Sequence, residues 1–99
     1  MKKRPVMPTE AAEALAIQVL TFIAADGERL GRFLAATGIG PAEIRSAARE
    51  PGFMLGVVEF LGSDDALLTV FATEHGFDPA DVGKAARVLG GEPWEREVP

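Results

Sequence analysis

Residues 19–49 read VLTFIAADGERLGRFLAATGIGPAEIRSAAR, and residues 57–87 read VVEFLGSDDALLTVFATEHGFDPADVGKAAR. The two stretches align without a gap at an offset of 38 residues. Val19, Phe22, Ile23, Asp26, Leu30 and Phe33 meet Val57, Phe60, Leu61, Asp64, Leu68 and Phe71. Gly38, Ile39, Pro41, Ala42, Glu43 and Ile44 meet Gly76, Phe77, Pro79, Ala80, Asp81 and Val82. Ala47, Ala48 and Arg49 meet Ala85, Ala86 and Arg87. The shared residues are helix punctuation. An aspartate suits a helix start, a glycine suits a left-handed helix stop, and a proline suits the first position of the next helix. The pattern predicts two sequence-related three-helix units, about 12–50 and 51–88. A unit of that size hides its apolar surface poorly alone, so the two are expected to pack face to face. The first and fourth helices are expected in the middle.

Working outward from this pattern gives an all-α, six-helix single domain over residues 9–90. Thr9 is the expected N-cap of the first helix, which runs to about Ala25 with Glu10 and Glu13 near its positive end. Its apolar residues Leu15, Ile17, Val19, Leu20, Phe22 and Ile23 cover more than one face, as in a helix buried on several sides. Asp26 caps the second helix, which stops at Gly38. Pro41 opens the third, with Ile44, Ala47 and Ala48 as its buried stripe. Pro51 separates it from a fourth helix carrying Phe53, Met54, Val57, Val58, Phe60 and Leu61. Ser63 is the expected cap of the fifth, which Gly76 stops. Asp78-Pro79-Ala80-Asp81 opens a sixth that runs to about Leu89. No alternating β-branched run reads as a strand. Residues 1–8 read as a flexible basic arm and residues 91–99 as a flexible tail, with Trp94 as its one large apolar anchor.

Composition narrows the function. The chain has 99 residues, no cysteine and a net charge of −5. Without cysteine it has no disulfide, thiolate zinc site or cysteine nucleophile, which fits a reducing, cytoplasmic setting. The acidic balance is not that of a nucleic-acid binder. Glu10 and Glu13 between the basic start and the apolar run argue against a signal peptide. That run is also too short to cross a membrane as a lone helix.

The stretch Glu13-Ala14-Leu15-Ala16, residues 22–34 with their Glu28-Arg29-Leu30-Gly31-Arg32-Phe33-Leu34 run, and Thr37-Gly38-Ile39-Gly40-Pro41 resemble a family of small alphaproteobacterial proteins. It is catalogued as domain of unknown function three-five-seven-two. The resemblance covers about residues 9–90. It implies a short helical bacterial protein with no assigned activity, and it brings no catalytic residue with it.

No residue set carries a reaction. His75 is the one side chain with a switchable charge near neutral pH, and it sits where a helix C-terminus favours a cation. No nucleophile or orienting partner accompanies it. Asp64 and Asp65 are adjacent and diverge by about 100° on a helix, which suits a helix start better than a metal. Gly38-Ile39-Gly40 follows a helix and lacks the lysine of a phosphate loop. No metal, cofactor or enzyme motif is expected. The fourth helix carries more apolar bulk than one stripe needs. Phe53 and Met54, beside Gly52 and Gly56, are therefore the candidate contacts of a protein–protein interaction module that binds a partner or itself. The alternative is a DNA-associated helix-turn-helix. Leu34, Gly38 and Ile44, and likewise Ala72, Gly76 and Val82, have its spacing, and Arg45 and Arg49 share one face of the third helix.

Overall fold

Three aspartates and two glycines set the helix ends. The Asp26 carboxylate accepts the Glu28 N–H at 2.9 Å, Asp64 accepts that of Leu67 at 3.0 Å, and Asp78 accepts that of Ala80 at 2.9 Å. Each satisfies one of the donors that a helix start leaves without a partner. Gly38 and Gly76 stop their helices at φ +78° and +72°, a conformation that a Cβ opposes. The computed structural model describes residues 7–50 and 52–91. Among them are six helices: α1 (Thr9–Ala24), α2 (Gly27–Thr37), α3 (Ile44–Ala47), α4 (Phe53–Gly62), α5 (Asp65–His75) and α6 (Pro79–Leu89). A 3-10 turn at Pro41–Glu43 leads into α3. No strand occurs among the described residues. Most of the basic arm (residues 1–6), Pro51 and the tail with Trp94 (residues 92–99) lie outside them.

Three local expectations need correction. Thr9 is the first residue of α1, not its cap. Pro8 holds the extended conformation that a cap requires, at φ −66° and ψ 154°, and its carbonyl accepts the Ala12 N–H at 3.0 Å. Ser63 does not cap α5. Its backbone is still helical at φ −85° and ψ −4°, and its hydroxyl donates back to the Phe60 carbonyl. The extended residue is Asp64, at φ −124° and ψ 101°. The stripe expected on the third helix is not buried either. Ile44 and Ala47 are half-buried and Ala48 is exposed, because α3 is a single turn with no extensive packing against another helix.

The core lies where α1, α4 and α6 pack on one another. Leu15, Ala16, Val19 and Ile23 of α1, Val57, Val58 and Leu61 of α4, and Val82 and Ala85 of α6 are buried there. The first and fourth helices do meet in the middle, and α6 lies against both. α2 packs on α1 and α4, and α5 on α4 and α6. Two aromatic groups close the ends. Phe22 meets Phe71 edge-on at 5.3 Å, and Phe71 stacks on Phe77 at 5.5 Å. Phe33 meets Phe60 at 5.4 Å and Phe53 at 6.1 Å, both edge-on. Arg29 fastens the α1–α2 corner. It donates to the Phe22 carbonyl at 2.9 Å and lies 3.8 Å over the Phe22 ring.

Phe71→Ala removes a fully buried ring that touches both Phe22 and Phe77, and is expected to cost about 3–5 kcal/mol in chemical denaturation. The short, lightly packed α3 is expected to exchange its amide hydrogens well before α1 and α4 do. Protection of residues 44–48 equal to that of α4 would contradict this.

Candidate functional site

A groove of about 520 Å³ opens along one edge of the domain. Val58, Glu59 and Gly62 of α4, Leu68 of α5, and Pro79, Val82, Gly83 and Ala86 of α6 are among the residues lining it. A second hollow of about 290 Å³ lies against Glu59, Ala86, Arg87 and Gly90. The two share Glu59 and Ala86, so the depression extends along the α4–α6 seam to the end of α6.

No side chain projects into the groove from Gly62 or Gly83. A Cβ added to Gly83 would meet nothing within 4 Å, and one added to Gly62 would meet only Val82 Cγ1 at 3.9 Å. Neither glycine is required for close approach of the two helices. The surface is mainly aliphatic. Its polar members are Glu59, Ser63 and, at the Gly90 end, Arg87. The Ser63 hydroxyl is engaged with the Phe60 carbonyl at 2.9 Å. Among the described residues neither Glu59 nor Arg87 forms an ion pair, whereas nearby Lys84 is held 3.8 Å from Asp81. An apolar trough with a carboxylate and a guanidinium on its rim is suited to an amphipathic peptide segment.

Beside the groove, Asp64 both caps α5 and pairs with Arg32 of α2. The Leu67 N–H, and after it the Arg32 guanidinium, hold the Asp64 carboxyl below its ordinary value of 3.8. This cross-link fixes the start of α5, the helix that supplies Leu68 to the groove.

The residues nominated from sequence lie elsewhere. Phe53 is buried with its ring against Phe33, and Met54 is half-buried. Arg45 and Arg49 are both exposed, but α3 ends at Ala47 and only Arg45 is on it. His75 is exposed, stacked on Phe71 at 4.7 Å and edge-on to Phe22 at 5.9 Å. Asp65 is exposed at the first position of α5. Among the described residues no group of three His, Cys, Asp or Glu side chains converges on a metal position. None of their helices is long and apolar enough to cross a membrane. The sequence reading missed the groove. A signal was present, since a glycine inside a helical pattern costs stability and calls for a reason, and Gly83 is such a glycine.

Among the described residues the fold is six helices with an open apolar trough along the α4–α6 seam. A family model described as "Protein of unknown function (DUF3572)" matches residues 9–92, and the chain belongs to that family. No curated protein and no solved structure matches it.

The depressed Asp64 carboxyl stabilises the fold above pH 3.8, and that contribution is lost as pH falls through its lower folded value. Thermal melts of wild type between pH 5 and 2 should therefore fall more steeply than those of Asp64→Asn, which keeps a capping oxygen but no charge. Gly83→Ala is expected to raise stability by up to about 1 kcal/mol, since it removes a helix-interior glycine without a clash. A clear loss in urea denaturation would mean that Gly83 is needed for packing.

Proposed function

We propose that this protein is a non-enzymatic protein–protein interaction module of the cytoplasm, and that its docking surface is the α4–α5–α6 groove. The observation that carries the reading is an open trough formed by half-buried Leu68 and Ala86 and exposed Gly62 and Gly83 above the buried Val58 and Val82, with Glu59 and Arg87 at its rim. The fitting partner is an amphipathic segment with one apolar anchor in the trough and charges beside it. Phe53 then serves the interior and holds α4 against α2.

The two-unit reading of the chain bears on why the groove is where it is. Phe22 aligns with Phe60 and Phe33 with Phe71. The contacts Phe22–Phe71 and Phe33–Phe60, at 5.3 and 5.4 Å, are therefore reciprocal. Reciprocity of this kind is the mark of a two-fold pair, and it supports two related three-helix units. The units differ at their third helices. α6 has 11 residues and packs into the core, whereas α3 has four and packs on neither α1 nor α4 to a comparable extent. Among the described residues the groove against a third helix lies in the second unit.

The test is capture of partners by tagged wild type and by a Gly83→Leu variant, which fills the trough from a position with open space above it. A protein partner that resists high salt and nuclease and is lost with Gly83→Leu is the expected result. Capture that is indifferent to Gly83→Leu would remove the groove from the reading. Nucleic acid released by salt and lost with Arg45→Ala/Arg49→Ala would replace it with DNA association.

A further inference from the structure

α6 lies against both α1 and α4. Its contacts with α4 fall at Leu55 and Gly62. A Cβ at Gly90 would lie 3.7 Å from Leu55 Cδ2, and one at Gly62 would lie 3.9 Å from Val82 Cγ1. Between them Val58 is fully buried. At the offset of 38 residues, Leu55, Val58 and Gly62 match Ile17, Leu20 and Ala24 of α1. Ile17 is 51% exposed, Ala24 is exposed and Leu20 is half-buried. α6 covers the first set and leaves the second open, so the two faces are separate. In the two-unit reading, α1 carries an unfilled copy of the face that α6 fills on α4.

The segment that matches α6 is residues 41–49. It repeats the proline, alanine, acidic and aliphatic residues of 79–82 at 41–44, and the Ala-Ala-Arg of 85–87 at 47–49. Yet α3 is a single turn, and Ile44 and Ala47 are half-buried where Val82 and Ala85 are buried.

We propose that the Ile17–Leu20–Ala24 face is a self-association surface, on which residues 41–49 of a second copy dock in mutual exchange. The inference rests on the two-unit reading and is independent of the groove. The matching face on α4 holds a helix with a Val82 and Ala85 stripe, and residues 41–49 carry the same stripe as Ile44 and Ala47. A single helical turn is marginal without a neighbour, and α3 has no extensive packing within its own chain. Charge agrees as well. In the register of α6, Ile44 lies at Ala24 and Arg49 lies toward Ile17. Glu13 is exposed one turn beyond Ile17 on the same side of α1. Exchange of one element between two copies closes a two-fold dimer.

The experiment is sedimentation equilibrium of the full chain. Wild type is expected to dimerise. Ile17→Glu, a change at an exposed site, is expected to weaken association at least about tenfold, since a two-fold dimer contains each contact twice. Ile44→Glu should do the same. A monomeric wild type, or a dimer indifferent to both changes, would overturn the inference. The chain has no cysteine, so mild oxidation of Ala24→Cys/Ile44→Cys reports the pairing. A disulfide between chains is expected, and one within a chain would overturn the exchange. The two-unit reading is tested separately by Val70→Arg. Arg32 pairs with Asp64, and the matching positions are Val70 and Asp26. Val70→Arg should therefore raise the melting temperature, and Asp26→Asn should abolish that gain. Such a gain without a dimer would overturn the association and leave the two units standing.

Discussion

The fold depends on hiding α1. Leu15, Val19, Phe22 and Ile23 are buried, and their i, i+4, i+7, i+8 spacing puts them on one broad stripe of the helix. A stripe this wide needs more than one neighbour, and α2, α4 and α6 together cover it. α4 has the same need, with Phe53, Val57, Val58 and Leu61 buried. Once α1 and α4 meet, α6 fills the angle between them with Val82 and the small Ala85, which permits close approach. Ile17 remains half exposed, so even this arrangement leaves part of α1 uncovered.

Much of this was legible in the sequence, because helix punctuation is local chemistry. Asp26, Gly38, Asp78 and Pro79 each act where their residue types predict. The errors at Thr9 and Ser63 share one cause. Capping requires an extended backbone at the residue that caps, and sequence gives the side chain without the dihedral angles. Pro8 and Asp64 had the extended backbone, so each took the position one residue away from the expected one. The length of α3 was illegible for another reason. Pro41 to Arg49 carries the same pattern as Pro79 to Arg87, but a short amphipathic helix is marginal without a neighbour. α6 has α1 and α4 beside it, and α3 has no comparable support.

The candidate surface was the least legible part. Composition drew attention to Phe53 and Met54 because they are large. A groove is defined by what is small. Gly62 comes from α4 and Gly83 and Ala86 from α6, and their juxtaposition follows from how α4 crosses α6. Glycine is not by itself informative, since Gly31 and Gly56 also face open space. Gly62 and Gly83 differ from them in lying side by side with Val58, Leu68 and Val82 around one depression.

That difference bears on the balance between stability and function. A glycine inside a helix costs about 1 kcal/mol relative to alanine, and for a domain of this size such a cost is a sizeable part of the net stability. Packing could justify it where a Cβ would collide with a neighbouring backbone. At Gly83 a Cβ would collide with nothing, so the fold itself gives no return for the loss. In the proposed reading, the volume left open at Gly83 is the volume that a docked segment needs. Domains with little stability to spare often concentrate such costs at their functional surfaces. Under the proposed docking surface, the cost of Gly83 falls on the α4–α6 seam and not on the buried ring of Phe53.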